Sequence, residues 1–211
     1  MQDKPLKEKA YHELRKAILN REFRTGEFLT ERTLVEKLGM SRTPIRAALE
    51  RLEVEGHVSY TPNKGIFITE LSIERVIHFF DFRVAVESHV VRKLAGQKLP
   101  EAEVQWFRDS LEQQRACVET NDSAQFTVHD SEFHRRLAQV YGNTEIVQTM
   151  DRLQDRLFQI GLSVLQKDPA RIMTSCEDHA RIFALIEAGE AEAAVGKMVD
   201  HLEFGKRILL F

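Results

Sequence analysis

The sequence predicts a mainly α-helical protein in two parts: three helices closed by a two-stranded hairpin, then an antiparallel bundle of six helices. Three observations predict it. Apolar residues recur at helical spacing through most of the 211 residues. Gly numbers 10 and Pro 5, too few for a turn-rich all-β chain. The one turn cluster flanked by short β-branched runs, Thr61-Pro62-Asn63-Lys64, falls early.

The first part is built as follows. Leu6 to Glu22 carries apolar residues at Leu6, Ala10, Leu14, Ala17 and Ile18, one face of a helix. Arg24-Thr25-Gly26 breaks it. Thr30 is placed to N-cap a short helix, Glu31–Leu38, which Gly39 stops. Ser41 caps the next, whose apolar face is Ile45, Ala48, Leu49 and Leu52 and which Gly56 ends. His57–Tyr60 and Gly65–Thr69 form the hairpin around the turn cluster. The boundary between the parts is placed near Thr69–Ser72, giving domains 1–70 and 71–211.

The second part reads as helices alone. Ser72 caps one that runs to about Ala95, closed by Gly96; Pro100 opens another to about Glu119. Asn121 or Asp122 caps a third, ending near Tyr141-Gly142, and Asn143 opens a fourth to about Leu165. Asp168-Pro169 start a fifth that ends at Gly189, and the last runs from about Glu190 to Leu209. Short links between long helices imply antiparallel neighbours.

Charge divides the same way. Residues 1–69 hold 13 Lys and Arg against 10 Asp and Glu, a balance of +3; residues 70–211 hold 17 against 23, a balance of −6. A mildly basic front and an acidic back fit two domains with different partners. Cys117 and Cys176 are the only cysteines and form no CxxC pattern, which argues against a disulfide scaffold or a cysteine-based zinc site. The first ten residues carry no apolar signal segment, and no apolar run approaches the roughly 18 residues of a membrane span. The expectation is a cytoplasmic location.

Three helices and a hairpin are the layout of a winged helix-turn-helix. In that motif the start of the second helix enters the major groove. Here it opens with Ser41, Arg42, Thr43 and Arg46. Short hydroxyls and a helix N-terminus hold phosphates, and arginines grip guanine O6 and N7. Pro44 fits the first turn, where its missing N–H costs nothing.

The second part raises a different question. In His129–Leu137, HDSEFHRRL, Asp130 and His134 lie four residues apart, hence stacked on one helix face. His134, His179 and His201 each sit beside an apolar stripe, on three different predicted helices. His78, His89 and His129 lie in charged or mixed surroundings and read as solvated or structural. Bundles build metal sites from inward side chains of facing helices, so Asp130, His134, His179 and His201 are a candidate ligand set. The spacing alone leaves core histidines satisfied by hydrogen bonds as the alternative.

Both parts resemble the GntR family of bacterial transcription regulators, specifically the FadR-type subfamily with an all-helical FCD effector domain. The matching residues in front are LTERTLVEKLGMSRTPIRAALERLEVEGHVSYTPNKG, within which SRTPIRAALERLEVEG is highly specific. Behind, they are FRVAVE, HDSEFHRRLAQVYGN, His179 within EDHARIFALIEAGEAEAA, and His201. One departure is Thr25-Gly26, where the family commonly has Pro-Gly.

The resemblance implies that Arg32 touches DNA backbone or base, that Arg42 and Arg46 reach the major groove with Thr43 on phosphate, and that Lys64 and Gly65 form a wing tip at the minor groove. It implies the same Asp-His-His-His metal set. Three imidazoles and one carboxylate suit one divalent transition metal per chain, zinc or nickel first, with manganese, iron and cobalt also compatible, rather than magnesium or calcium. Arg83 and Glu87 match the family's effector-pocket residues; a plain i,i+4 ion pair is the alternative for them. A divalent ion held by one carboxylate and three neutral imidazoles keeps a charge near +1, and Arg83 adds another. Such a site favours a small organic acid over a neutral sugar or a cation.

The expected function is a homodimeric DNA-binding regulator, a repressor, acting on a pseudo-palindromic operator and modulated by a carboxylate metabolite. No catalytic role is expected. The competing class is a metal-dependent hydrolase or lyase on a helical bundle, against which stands the lack of an HExxH motif or a nucleophile elbow. An architectural DNA-binding protein would need no second domain with a polar core.

Overall fold

The computed structural model describes residues 5–19, 22–23, 26–61, 64–69 and 72–211. The chain divides into two compact units, Met1–Leu71 and Ser72–Phe211. The predicted break at Arg24-Thr25, the Thr25 departure, the turn residues Pro62-Asn63 and the boundary residues Glu70-Leu71 lie outside the described residues.

The first unit holds α1 (Leu6–Leu19), β1 (Phe28–Leu29), α2 (Glu31–Leu38), α3 (Arg42–Val54), β2 (Val58–Thr61) and β3 (Gly65–Ile68). Its core joins the apolar faces of the three helices, including Ala10, Leu14, Leu34, Ile45 and Leu52, to Ile66 and Ile68 of the hairpin. The Thr30 hydroxyl accepts from the Thr33 N–H, so one orphan donor of α2 is satisfied. Gly39 ends α2 in the left-handed region (φ 63°), and its N–H returns to the Val35 carbonyl.

Two features differ from expectation. Glu22 lies in a bend beyond the end of α1 at Leu19, its N–H bonded to the Ala17 carbonyl, so the first helix holds its whole apolar pattern but stops short of the expected limit at Glu22. And β1 is a third strand that the sequence did not announce. It pairs antiparallel with β3, giving the order β1-β3-β2. Its residues are too few for a period of two to be visible.

The second unit holds α4 (Ile73–Ala95), α5 (Glu101–Thr120), α6 (Ser123–Tyr141), α7 (Thr144–Lys167), α8 (Arg171–Glu187) and α9 (Ala191–Leu210). Ser72, Asp122 and Asn143 cap α4, α6 and α7 through their side chains. Helix α4 packs on α9, α6 on α7, and α8 on both α5 and α9. The result is an all-helical bundle whose polar side chains from α4, α6, α8 and α9 meet inside it. No helix among the described residues is long and apolar enough to cross a membrane.

Candidate metal centre and nucleic-acid interface

Helical spacing carries Asp130 and His134 to one face of α6, His179 to the inner face of α8 and His201 to that of α9. One ligand atom from each of the four lies within 4.8 Å of every other. His179 Nε2 is 3.3 Å from His201 Nε2 and 3.5 Å from Asp130 Oδ1, and His134 Nε2 is 4.0 Å from the same oxygen. The three imidazoles are buried, and Asp130 is nearly so.

The far nitrogen of each ring has a polar partner. His134 Nδ1 donates to Glu87 Oε2 at 2.5 Å, and His179 Nδ1 donates to Gln114 Oε1 at 2.7 Å. His201 Nδ1 lies 3.2 Å from Asp178 Oδ2. Arg171 Nη2 lies 2.9 Å from the same nitrogen and 3.0 Å from the His201 carbonyl, so Nδ1 donates to Asp178 in one tautomer and accepts from Arg171 in the other. In the tautomer with Nδ1 protonated in all three rings, each Nε2 is a lone pair. In that tautomer three lone pairs and a carboxylate face one point, an arrangement that suits a cation; with His201 protonated at Nε2 instead, that nitrogen donates a hydrogen bond to His179 Nε2. His134 Nε2 has no hydrogen-bond partner at all. A buried acceptor left so costs about 1–3 kcal/mol; a divalent cation at that point would satisfy all four groups together.

Electrostatics keep the donors ready. Burial, followed by the neighbouring His201 and His134, pushes His179 well below its ordinary value. Burial likewise lowers His201 to about 4, against an opposing bond from Asp178. Both rings are neutral near pH 7, the form a metal requires. Burial opposes ionisation of Glu87, but Arg83 and His134 overcome it and hold the carboxyl at about 2. Burial opposes Asp178 too, and His201, Lys197 and Arg171 hold it well below the carboxylate range.

Arg83 and Glu87 form a buried pair, Nε to Oε1 at 2.6 Å. Glu87 is thus turned to Arg83 and His134. Arg83 Nη2 is buried without a partner. The Arg83 side chain lines a cavity of about 40 Å³ together with Asp130, Arg171, His201 and Phe80. That is room for a few waters or a small polar group. Gly161 and Gly205 border it and keep side-chain volume out. Gln114, Arg171 and Asp178 were not singled out in the sequence. Asp178 precedes His179 directly, a weak signal; nothing local marks Gln114. His89 bonds the Tyr141 hydroxyl at 3.0 Å, and His78 is exposed.

In the first unit, Ser41 has extended backbone at the N-cap of α3 and no side-chain cap bond. Arg42, Thr43 and Arg46 are exposed, while Pro44 is buried in the first turn. Arg46 Nε donates to Glu31 Oε1 and Arg32 Nε to Glu36 Oε1, each at 2.8 Å. The Lys64 ammonium lies 5.7 Å from the Phe28 ring centre. Gly65 has φ 103°, and a Cβ there would stand 2.5 Å from the Leu29 carbonyl oxygen. Only glycine lets β3 begin that close to β1.

Comparison with known proteins places this architecture. Residues 6–68 match the model of the bacterial regulatory proteins of the gntR family, and residues 78–204 match the FCD domain. The chain belongs to the GntR family of transcriptional regulators and carries an FCD domain. It is 35% identical over 135 residues to the Nta operon transcriptional regulator of Aminobacter aminovorans, covering 64% of this chain and 63% of that protein. It is 24% identical over 200 residues to the HTH-type transcriptional repressor RspR of Escherichia coli K12, covering 94% and 86%. Its fold matches that of a GntR transcriptional regulator from Rhodococcus sp. RHA1, with a TM-score of 0.80 at 22% identity over 96% and 97% of the two chains. These relatives are regulators, and none lends support to the enzyme alternative.

Proposed function

We propose that the chain is a metabolite-responsive repressor. Residues 1–70 bind a pseudo-palindromic operator as a homodimer, placing two α3 helices about one DNA turn apart. Arg42 and Arg46 read bases, Ser41 and Thr43 hold phosphate, and Arg32, Lys64 and Gly65 flank the duplex. The RspR relative is itself named a repressor. Residues 71–211 hold one divalent transition metal, zinc or nickel first, through Asp130, His134, His179 and His201. When bound, the metal supplies a Lewis-acidic centre for an organic acid. Glu87, Gln114 and Asp178 orient the three imidazoles, and Arg83 offers its unpartnered Nη2 to the acid. For binding to regulate, the acid must favour one arrangement of the DNA-binding units over the other.

The observation that carries this reading is the convergence of three buried imidazoles and a carboxylate beside a cavity lined by Arg83. Thermal shift tests it. Organic acids, sugars and amines would be screened on wild type, Arg83→Ala and chelator-stripped protein. An acid at a hundred times its Kd stabilises by about 2.7 kcal/mol. The reading fails if sugars or amines stabilise and acids do not, or if stabilisation by acids survives both loss of metal and loss of Arg83.

A further inference from the structure

Glu31 opens α2 and reaches across to α3, where its Oε1 accepts from Arg46 Nε at 2.8 Å. That bond uses Nε alone and leaves the two terminal Nη groups on the outer edge of the guanidinium. A guanidinium grips guanine O6 and N7 through two parallel N–H donors. An arginine held by Nε keeps such a pair and has already lost the freedom of its long stem. The Glu31 side chain is 27% exposed and that of Arg46 60%, so the anchor is sheltered and the anchored end faces water. The Arg32–Glu36 pair is different: at 82% and 63% exposure, one turn apart on the same helix, it is an ordinary surface pair.

The surroundings sharpen the point. The hydrogen bond from Arg46 holds the Glu31 carboxyl below its ordinary value, with the charges of Arg46 and Arg42 adding to the effect. Glu31 therefore stays charged between two proposed base-reading arginines. Glu31 and Arg46 themselves line a groove of about 200 Å³, together with Glu50, Glu53 and Tyr60. Glu53 is already engaged by the Tyr60 N–H at 2.8 Å. An Arg46 released from Glu31 would be free to turn toward Glu50 along the same groove or toward any phosphate.

We propose that Glu31 is a positioning residue for DNA readout: its carboxylate fixes Arg46 by Nε so that the terminal N–H pair meets a guanine edge, and its charge disfavours a phosphate there. This rests on the reading of Arg46 as a base-contacting residue. Removing Glu31 loosens discrimination while leaving binding to unrelated DNA unchanged or stronger.

The test uses the full chain and duplexes that the wild type selects from a random pool, with scrambled duplexes as controls, all at one salt concentration. Glu31→Ala, Glu31→Asp, Arg46→Ala and the Glu31→Ala/Arg46→Ala double variant are compared, with helical circular dichroism melts to confirm folding. Glu31→Ala should lower the selected-to-scrambled affinity ratio about tenfold, within the range for one bidentate base contact. The relaxed base position should be the one that Arg46→Ala relaxes. Glu31→Asp should restore part of the ratio, and the double variant should lose no more than Arg46→Ala alone. The proposal is overturned if Arg46→Ala relaxes a base position that Glu31→Ala leaves intact, or if the two losses multiply in the double variant. If Arg46→Ala relaxes no position, the base-reading role of Arg46 falls, and that of Glu31 with it.

Discussion

Glu87→Gln probes the metal centre without touching a ligand. Glu87 is 4% exposed, and its two oxygens accept from Arg83 Nε at 2.6 Å and His134 Nδ1 at 2.5 Å. Glutamine keeps the shape but replaces one acceptor with an NH2 donor. Either Arg83 or His134 must then face a donor, and the Arg83 charge loses its buried counter-charge. Breaking a buried pair costs about 3–5 kcal/mol; glutamine preserves one of the two bonds, so the lower figure applies. In a chain of this size that lowers Tm by roughly 6–12 °C. His134 also loses the partner that fixes Nδ1–H and leaves Nε2 as a lone pair, and such orienting contacts are worth roughly 10–100-fold in metal affinity. Circular dichroism melts on chelator-treated protein measure the first effect, and competition against a chromophoric zinc chelator measures the second. Wild-type zinc affinity in a folded Glu87→Gln protein would refute the claim that Glu87 prepares His134 as a ligand.

Three further outcomes follow from the same structure. Arg42→Ala or Arg46→Ala should weaken binding to selected DNA by roughly 1–3 kcal/mol and relax base preference, while Thr43→Ala or Lys64→Ala should weaken all sequences more evenly; gel-shift titrations on matched and scrambled duplexes separate the two patterns. Gly65→Ala forces a Cβ against the Leu29 carbonyl at φ 103° and should cost on the order of 1–3 kcal/mol in the urea unfolding of the DNA-binding unit; an unchanged midpoint would contradict the close β1–β3 approach. Metal-free protein should lose stability as pH falls. His201, lowered to about 4, is penalised progressively below its unfolded value of 6.5, and Glu87, held at about 2, loses its contribution below 4.5. Urea midpoints between pH 7 and 3 check this, and Glu87→Gln should flatten only the lower part of the curve.

Most of the frame was legible because it is local. Thr30, Ser72, Asp122 and Asn143 announce helix starts, and the structure bonds each side chain to the first turn it caps. Helix α7 runs two residues past its expected end, to Lys167, within the usual fraying of such limits. Ser41 caps by backbone alone, so residue type foretold the position but not the bond. Strand β1 was invisible because its two residues owe their conformation to β3, far along the chain. The candidate centre divides the same way. Asp130 and His134 announce themselves by a four-residue spacing, and His179 and His201 by the apolar stripes beside them. Gln114, Arg171 and Asp178 acquire their roles only when α5, α8 and α9 pack together, which no periodicity encodes. Glu31 was passed over for a like reason: its partner lies on another helix, and a glutamate in a first turn needs no explanation beyond the helix dipole.

The most direct test of the account is the metal content of the intact chain. Protein purified without chelator, then offered zinc or nickel and dialysed, would be weighed by mass spectrometry under non-denaturing conditions and assayed by elemental analysis. The account predicts one divalent transition metal per chain in wild type. It predicts none in folded His179→Ala or His201→Ala, with binding to DNA by the winged unit retained. Wild-type protein that takes up neither metal, or a His179→Ala variant that keeps a full equivalent, would contradict it and leave Asp130, His134, His179 and His201 as a hydrogen-bonded core.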